Sequence, residues 1–344
     1  MLSACSPGAR ASLARAARQA EELPPPSATA DSSATPAPAP LPGVLPGNML
    51  IADRANNRVI EVTPDHKVVW EFPRPGDLQP GQHFRWPDDA FYGPDGKSIV
   101  VNEEESHAIV LIDYASRRIV WQYGVSEHHG SARGLLNGPD DAYMWPDGSI
   151  SVADIRNCRV LLIDQASKAI KAQLGKTGFC LHHPPRTLGL PNGDTPLRDG
   201  NVLVTEIAGA WVSEMSWVGA LAWTAHAPGI RYPSDAQMLS DGNILLVDYS
   251  RPGQILIMTQ QGKTVWRYAP RYGAAMLDHP SLAIQMSNGL IALNDDFRNR
   301  VLVIDPATNN IVWQYGVNDH RGRAAGLLFV PDGIDIKPPG WGQP

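Results

Sequence analysis

From Pro46 onward the chain is a succession of short β-branched and aliphatic runs separated by polar turns. Lys97-Ser-Ile-Val-Val101 precedes His107-Ala-Ile-Val-Leu-Ile-Asp113, and Asp147-Gly-Ser-Ile-Ser-Val-Ala-Asp154 precedes Cys158-Arg-Val-Leu-Leu-Ile-Asp164. Asn243-Ile-Leu-Leu-Val-Asp248 is a further such run, and Leu290-Ile-Ala-Leu-Asn294 precedes Arg300-Val-Leu-Val-Ile-Asp305. Runs of this length joined by Asp-Gly, Asn-Gly or Asx-rich turns predict consecutive antiparallel hairpins.

The hairpins belong to a larger unit. Pro87-Asp-Asp-Ala, Pro139-Asp-Asp-Ala, Pro233-Ser-Asp-Ala and Pro280-Ser-Leu-Ala each open a copy, and a degenerate copy runs from Pro185-Arg-Thr-Leu through Asn201-Val-Leu-Val-Thr-Glu206 to Trp211. The copies recur about every fifty residues, the length of a propeller blade, with four strands in each. A fourth-strand aromatic slot holds Trp70, Trp121, Trp223, Trp266 and Trp313, with Ala172 in the remaining copy. A large ring at one place in every blade fills the wedge between neighbouring twisted sheets.

The ends fix the count. Asn48-Met-Leu-Ile-Ala-Asp53 starts a copy that lacks its opening strand, and Phe329-Val-Pro-Asp-Gly-Ile-Asp-Ile336 is an opening strand with no blade after it. Docking the second inside the first gives an all-β, six-bladed propeller of four-stranded antiparallel blades and removes two exposed sheet edges. The expected domains are a tether over residues 1–45, the propeller over 46–336 and a tail over 337–344.

The pattern of residues 139–164, with Asp-Gly-x-Ile-x-Val-Ala-Asp followed by Asn-x-Arg-Val-x-x-Ile-Asp, resembles the NHL-repeat propellers. Gly242-Asn-Ile-Leu-Leu-Val-Asp248 and Ile311-Val-Trp-Gln-Tyr-Gly316 are similar to bacterial arylsulfotransferase and PQQ-binding-like repeats. These resemblances imply the fold; propellers host many unrelated activities. The arylsulfotransferase resemblance would place a His about eight residues before each turn Gly. Counting back from Gly96, Gly148, Gly193, Gly242 and Gly289 lands on Asp88, Asp140, Pro185, Ser234 and Ser281, none of them His.

Charge narrows the partners. At a net −6 over 344 residues, with no run of Lys or Arg, the chain lacks a surface for neutralising a nucleic-acid backbone. No stretch reaches the roughly 20 apolar residues of a membrane-spanning helix. Leu2-Ser3-Ala4-Cys5 resembles a bacterial lipobox, with Cys5 as the lipidated residue, and it precedes the Pro/Ala/Ser/Thr run of residues 24–46 that reads as a semi-rigid tether. With Cys5 set aside, Cys158 and Cys180 remain as a pair, either one disulfide in an oxidising compartment or two buried thiols.

Candidate chemistry gathers on one face, where innermost strands start and second strands end. The opening residues Asp88/Asp89, Asp140/Asp141, Pro185/Arg186, Ser234/Asp235, Ser281/Leu282 and Asp332/Gly333 form a partial carboxylate ring, with Arg186 the expected counter-charge. Such a ring is self-repelling unless a cation offsets it, and oxygen-only ligands suit Ca²⁺ or another hard divalent ion at the channel mouth. A turn-capping role for each Asp is the alternative. The acids that end second strands, Asp53, Asp154, Asp248 and Asp295, recur too regularly to be other than structural, whereas Glu103 to Glu105 and Glu206 beside Trp211 depart from the repeat. Histidines at 83, 128, 129, 182, 183, 226, 279 and 320 precede opening strands. The NHL resemblance includes a lyase with a three-His metal site, but the variable His spacing here does not form a symmetric ligand set.

The expected function is an extracytoplasmic, secreted or lipid-anchored, monomeric binding module that engages a small molecule or envelope protein. Its ligand-binding candidates are Asp89, His129, Asp141, His183, Arg186, Glu206 and Asp235. The alternative is a metal-assisted hydrolase, lyase or arylsulfotransferase-like enzyme with its site at the channel mouth.

Overall fold

A computed structural model describes residues 43–342. Cys5 and most of the tether lie outside the described residues. Twenty-four strands form six four-stranded sheets. Blade 1 holds β1 (Met49–Asp53), β2 (Arg58–Val62) and β3 (Val68–Phe72); blade 2 holds β4 (Pro87–Tyr92), β5 (Ser98–Glu103), β6 (Ala108–Asp113) and β7 (Arg118–Gly124). Blade 3 is β8 (Pro139–Met144), β9 (Ile150–Asp154), β10 (Arg159–Ile163) and β11 (Ile170–Gly175). Blade 4 is β12 (Pro191–Pro196), β13 (Val202–Glu206), β14 (Trp211–Met215) and β15 (Leu221–His226). Blade 5 is β16 (Pro233–Met238), β17 (Ile244–Asp248), β18 (Gln254–Met258) and β19 (Thr264–Tyr268), and blade 6 is β20 (Ala283–Gln285), β21 (Ile291–Asp295), β22 (Arg300–Asp305) and β23 (Asn310–Gly316).

β24 (Pro331–Ile336) closes the ring: it pairs antiparallel with β1 through Met49↔Ile336 and Ile51↔Ile334, giving the order β24-β1-β2-β3. The chain beyond it stays on the propeller, with Trp341 buried against Tyr92 and Tyr114 and its indole N–H donated to the Gly93 carbonyl at 2.7 Å. At the other end Val44 and Leu45 are already core residues.

Six hydrophobic clusters hold the molecule together, one between each neighbouring pair of blades. The fourth-strand tryptophans tie these interfaces as expected. Trp70 donates to the Tyr114 carbonyl of the next blade, Trp121 to Gln165, Trp266 to the Asn309 side chain, and Trp313 across the closure to Pro64. Trp223 instead bonds Glu214 within its own blade. A buried indole with its N–H satisfied supplies packing and register together.

The recurrent second-strand acids are structural. Each takes a backbone N–H from the loop entering the neighbouring inner strand: Phe329 on Asp53, Asn137 on Asp154, Arg231 and Tyr232 on Asp248, and Asp278 on Asp295. Arg58, Arg159 and Arg300 pair with the same carboxylates through Nε at 2.6, 2.7 and 2.8 Å. This is why Asp-x-x-x-Asn/Cys-Arg recurs: the fifth residue of that motif, Asn57, Cys158 or Asn299, adopts left-handed backbone just before the Arg that opens the third strand.

Cys158 and Cys180 are disulfide-bonded, with Cα atoms 5.1 Å apart. The bridge fastens the loop over residues 176–190 to blade 3. Closing a loop over a separation of 22 residues contributes about 3 kcal/mol in the chain-entropy model. The Cys158→Ser/Cys180→Ser double variant is therefore expected to unfold at lower denaturant, because its unfolded chain is freed of the cross-link; equal midpoints in urea titrations of the two proteins would contradict this.

Candidate functional site

At the loop face, five of the six inner strands carry a register shift just after their opening residues, at Pro87/Ala90, Asp140/Ala142, Pro191/Asp194, Pro233/Ala236 and, where β1 pairs β24, Ile51/Asp53. A bulge re-aims side chains, and here it gathers carboxylates from several blades into the throat of the ring. Gly193 sits between blades 3 and 5: a Cβ there would lie 3.0 Å from Asp235 Oδ1 and 3.1 Å from Asp141 Oδ2. Gly333 lies so close to Asp89 that a Cβ would overlap its backbone. Asp89, Asp141 and Asp235 thus converge, as the repeat pattern implied, and each is less than a tenth exposed.

The guanidinium that balances them is Arg54. Its Nη1 donates to Asp88 Oδ1 and Asp332 Oδ2, and its Nη2 to Glu105 Oε1 and, at 3.1 Å, to Glu104 Oε2. Arg156 reaches Glu104 from the rim at 3.8 Å. Asn102 braces the ring, its Nδ2 to Asp88 and the Pro139 carbonyl and its Oδ1 to the Asp89 N–H. Asn294 does the same work for Ser281, Leu282 and Asp296.

One guanidinium does not offset this many acids. Burial drives Asp88 well above the ordinary carboxylate range, with Arg54 pulling back and Asp332, Asp140 and Glu104 pushing further up. Burial and the Asp332 charge raise Asp89 to about 8, and burial raises Asp235 to about 6. Asp140, Asp141 and Asp296 are likewise pushed well up by burial and by their acidic neighbours. Asp332 alone is held low: burial opposes its ionisation, but Arg54 and hydrogen bonds outweigh it. The Asp141 and Asp296 Oδ2 atoms are buried without a hydrogen-bond partner. Asp88, Asp89 and Asp140 each offer an oxygen within 4.8 Å of the others, and no histidine belongs to such a group among the described residues.

The remaining candidates lie elsewhere. Arg186 is not the counter-charge of the ring: blade 4 opens at Pro191, where Pro191↔Glu206 matches Pro139↔Asp154, and Arg186 stands exposed on the preceding loop. The disulfide-tied loop is long enough to carry a decoy proline, Pro185, ahead of the true strand. Counting back eight from the turn glycine of β12–β13, Gly200, gives Asn192, again not His. His183 is exposed on the same loop, and exposed His129 packs edge-on against His107 with centroids 5.4 Å apart. Glu206 is fully buried, accepting the Gly189 N–H and bonding His182 Nδ1 at 2.9 Å, while Trp211 stacks on that imidazole. It plays the structural part that Asp plays in other blades. Glu103 does so too, accepting the Arg85 N–H.

Arg54 and Tyr249 escape sequence reasoning because they follow the recurrent acid, at a position that the repeat does not fix. That position reads Arg54, Glu104, Ile155, Ile207, Tyr249, Asp296 around the ring. It varies where the fold leaves it free, and four of the six join or adjoin the carboxylate network. Blade 4 differs again at Asp194, which fills the slot that is Ala90, Ala142, Ala236 and Ala283 in blades 2, 3, 5 and 6 and Ile334 in blade 1. Its two oxygens are buried without a well-formed hydrogen bond and burial pushes it well up, opposed first by Ser151, the polar residue on β9 in a place otherwise Leu, Val or Ala.

Comparison with known proteins bears on fold alone. No family model matches the chain, and no curated protein is similar to it. Among solved structures, a protein of unknown function from Bacteroides caccae is 17% identical, with a TM-score of 0.59 over 84% of this chain and 98% of that one. A catalytically inactive virginiamycin B lyase from Staphylococcus aureus, solved with quinupristin, is 16% identical with a TM-score of 0.47 over 65% and 68%. Hydrazine synthase of Kuenenia stuttgartiensis is 13% identical with a TM-score of 0.47, covering 68% of each chain.

Proposed function

We propose that this chain is an NHL-like, non-enzymatic binding module of the cell exterior, secreted or held by a lipid on Cys5, whose loop face engages a small ligand or an envelope protein. The observation that carries the reading is the asymmetry of the two faces. The far face is made of tight turns such as residues 93–97, 145–149 and 259–263, whereas the blade-to-blade loops, including 125–138, 176–190 and 269–282, all rise on the near face. That face presents the acidic throat, the exposed apolar side chains of Phe179, Leu181 and Tyr272, and a cleft of about 270 Å³ between Arg231, Gln254 and Arg271. Exposed arginines and aromatics of this kind are the residues that anchor interfaces. The disulfide and the absence, among the described residues, of a helix long and apolar enough to cross a membrane accord with an exterior location.

The test is capture of an envelope partner by three forms of the full chain. Arg231→Glu/Arg271→Glu on the loop face should lose the partner retained by the unaltered chain, and Lys263→Glu on the far face should retain it. Surface changes of this sort shift stability by only about 0.5 kcal/mol, so all three should melt together. Equal capture by all three would remove the loop-face reading. The metal-assisted enzyme keeps one point in its favour: Asp89, raised to about 8 by burial and neighbouring acids, is a protonated acid at neutral pH, as general acids are.

A further inference from the structure

The throat holds a second kind of information, independent of what docks above it. Arg54 spends its four donor contacts on Asp88, Asp332, Glu104 and Glu105, toward blades 1, 2 and the closing strand. The other side of the throat, where Asp89 and Asp140 lie beside Asp141 and Asp235, is reached by no lysine or arginine ion pair among the described residues. Nothing apolar in the repeat demands acids there, since the same positions are Ser281 and Leu282 in blade 6.

Geometry narrows what sits among them. Two oxygens on opposite sides of a Ca²⁺ ion are about 5 Å apart, twice a bond of about 2.3–2.6 Å. The oxygens of Asp88, Asp89 and Asp140 lie within 4.8 Å of one another, which places them in one such shell without backbone movement. Asp88 keeps its Oδ2 on the side away from Arg54, held only by Asn102 at 3.3 Å. Independently of that trio, Asp141, the residue next to Asp140, has its Oδ2 buried in the throat without a hydrogen-bond partner, beside Asp235 Oδ1 across Gly193. A buried acceptor without a donor is rare and costly in a folded protein unless a cation satisfies it. All four are carboxylate oxygens with no imidazole or thiolate, the donor set of a hard ion rather than of Zn²⁺ or Cu²⁺.

We propose that Asp88, Asp89 and Asp140 bind one hard divalent cation of the Ca²⁺ class in the throat of the propeller, with Asp141 Oδ2 as a further oxygen ligand. The ion bridges blades 2 and 3 and does for that side of the ring what Arg54 does for the other. The site stands or falls apart from the loop-face reading, because its ligands belong to inner strands and not to the loops.

The test uses the full chain after exhaustive chelation, titrated separately with Ca²⁺, Mg²⁺ and Tb³⁺. Tyr143 and Tyr232 lie close enough to the carboxylates for those charges to raise both phenols, so bound Tb³⁺ should luminesce on tyrosine excitation and Ca²⁺ should quench it by competition. One saturable site per chain is expected, with Ca²⁺ bound more tightly than Mg²⁺ and the melting temperature rising with Ca²⁺. In Asp89→Asn/Asp140→Asn, Ca²⁺ affinity should drop at least about 100-fold as two charged ligands are neutralised. If the double variant does not fold, the single Asp140→Asn change, at a half-buried position, carries the same expectation of weakened binding. The proposal is overturned by wild-type protein that shows neither saturable Ca²⁺ binding nor a thermal shift, by tighter binding of Mg²⁺, or by a folded variant that binds Ca²⁺ as the wild type does.

Discussion

A chain truncated after residue 328 will fail to fold cooperatively. The missing segment is the inner strand of blade 1, and its loss opens the ring as well as removing contacts. Ile334 is fully buried against β1, Phe329 and Val330 are core residues whose carbonyls accept the N–H groups of Ala55 and Arg54, and Trp341 fills the far end of the interface between blades 1 and 2. Burial of one large apolar side chain contributes about 1.5–3 kcal/mol, and four of them approach the roughly 5–15 kcal/mol of a whole domain. Truncation also strips Asp332 from Arg54 and leaves β1 and blade 6 without their neighbours, two edges that favour association between chains. Near-UV circular dichroism and thermal melts should show a broad, aggregation-prone transition in place of a sigmoidal one. A truncated protein that melts like the full chain would rule out the closure as the element that completes the fold.

The fold was legible because a propeller writes itself many times. Period, turn chemistry, the fourth-strand tryptophans and the complementary ends all agree, and a reading that fails in one blade is corrected by the next. The site is legible only where it follows the repeat. Asp89, Asp141 and Asp235 occupy one repeated position, and the structure brings them together. Blade 4 broke the register because Pro185 precedes the real strand within a loop whose length no repeat dictates, and Arg186 was carried into the ring with it. Arg54 was invisible for the opposite reason: it occupies a position that is Arg, Glu, Ile, Ile, Tyr and Asp around the ring, so periodicity offers no signal. What marks it is the imbalance of buried charge, which appears only once the strands are placed. Glu206 drew notice as a departure from Asp, yet the extra methylene lets it keep the same backbone contact and reach His182.

Replacing Arg54 is expected to be the most damaging single substitution on the loop face, and its cost should depend on pH. Arg54→Met keeps most of the side-chain volume but leaves Asp88, Asp332 and Glu104 buried without their cation. Removing one partner of a buried pair costs about 3–5 kcal/mol, far more than Arg186→Ala, whose side chain is exposed and should move stability by less than about 0.5 kcal/mol. The direction of the pH effect follows from proton uptake. In the native protein Asp235 and Asp89 are raised to about 6 and about 8, so between the ordinary carboxylate range and those values the folded state holds protons the unfolded chain has lost. Stability in chelator must fall as pH rises through that window, by up to about 1.4 kcal/mol per pH unit for each proton of difference. Asp332 works the other way: held low by Arg54, it stabilises the fold above the ordinary carboxylate range, and that stability is lost as pH falls through its depressed value. Without Arg54, Asp332 joins the raised group, to which Asp88 already belongs, and Asp88 loses the one charge that pulls it back. The deficit of Arg54→Met against wild type should therefore be widest near about pH 7.5 and shrink toward about pH 5, where protonation relieves the same repulsion. Urea titrations of both proteins at the two pH values, in chelator, decide it. A deficit that stays constant, or that grows on acidification, would show that Arg54 acts through packing and that the carboxylates around it are balanced by something else.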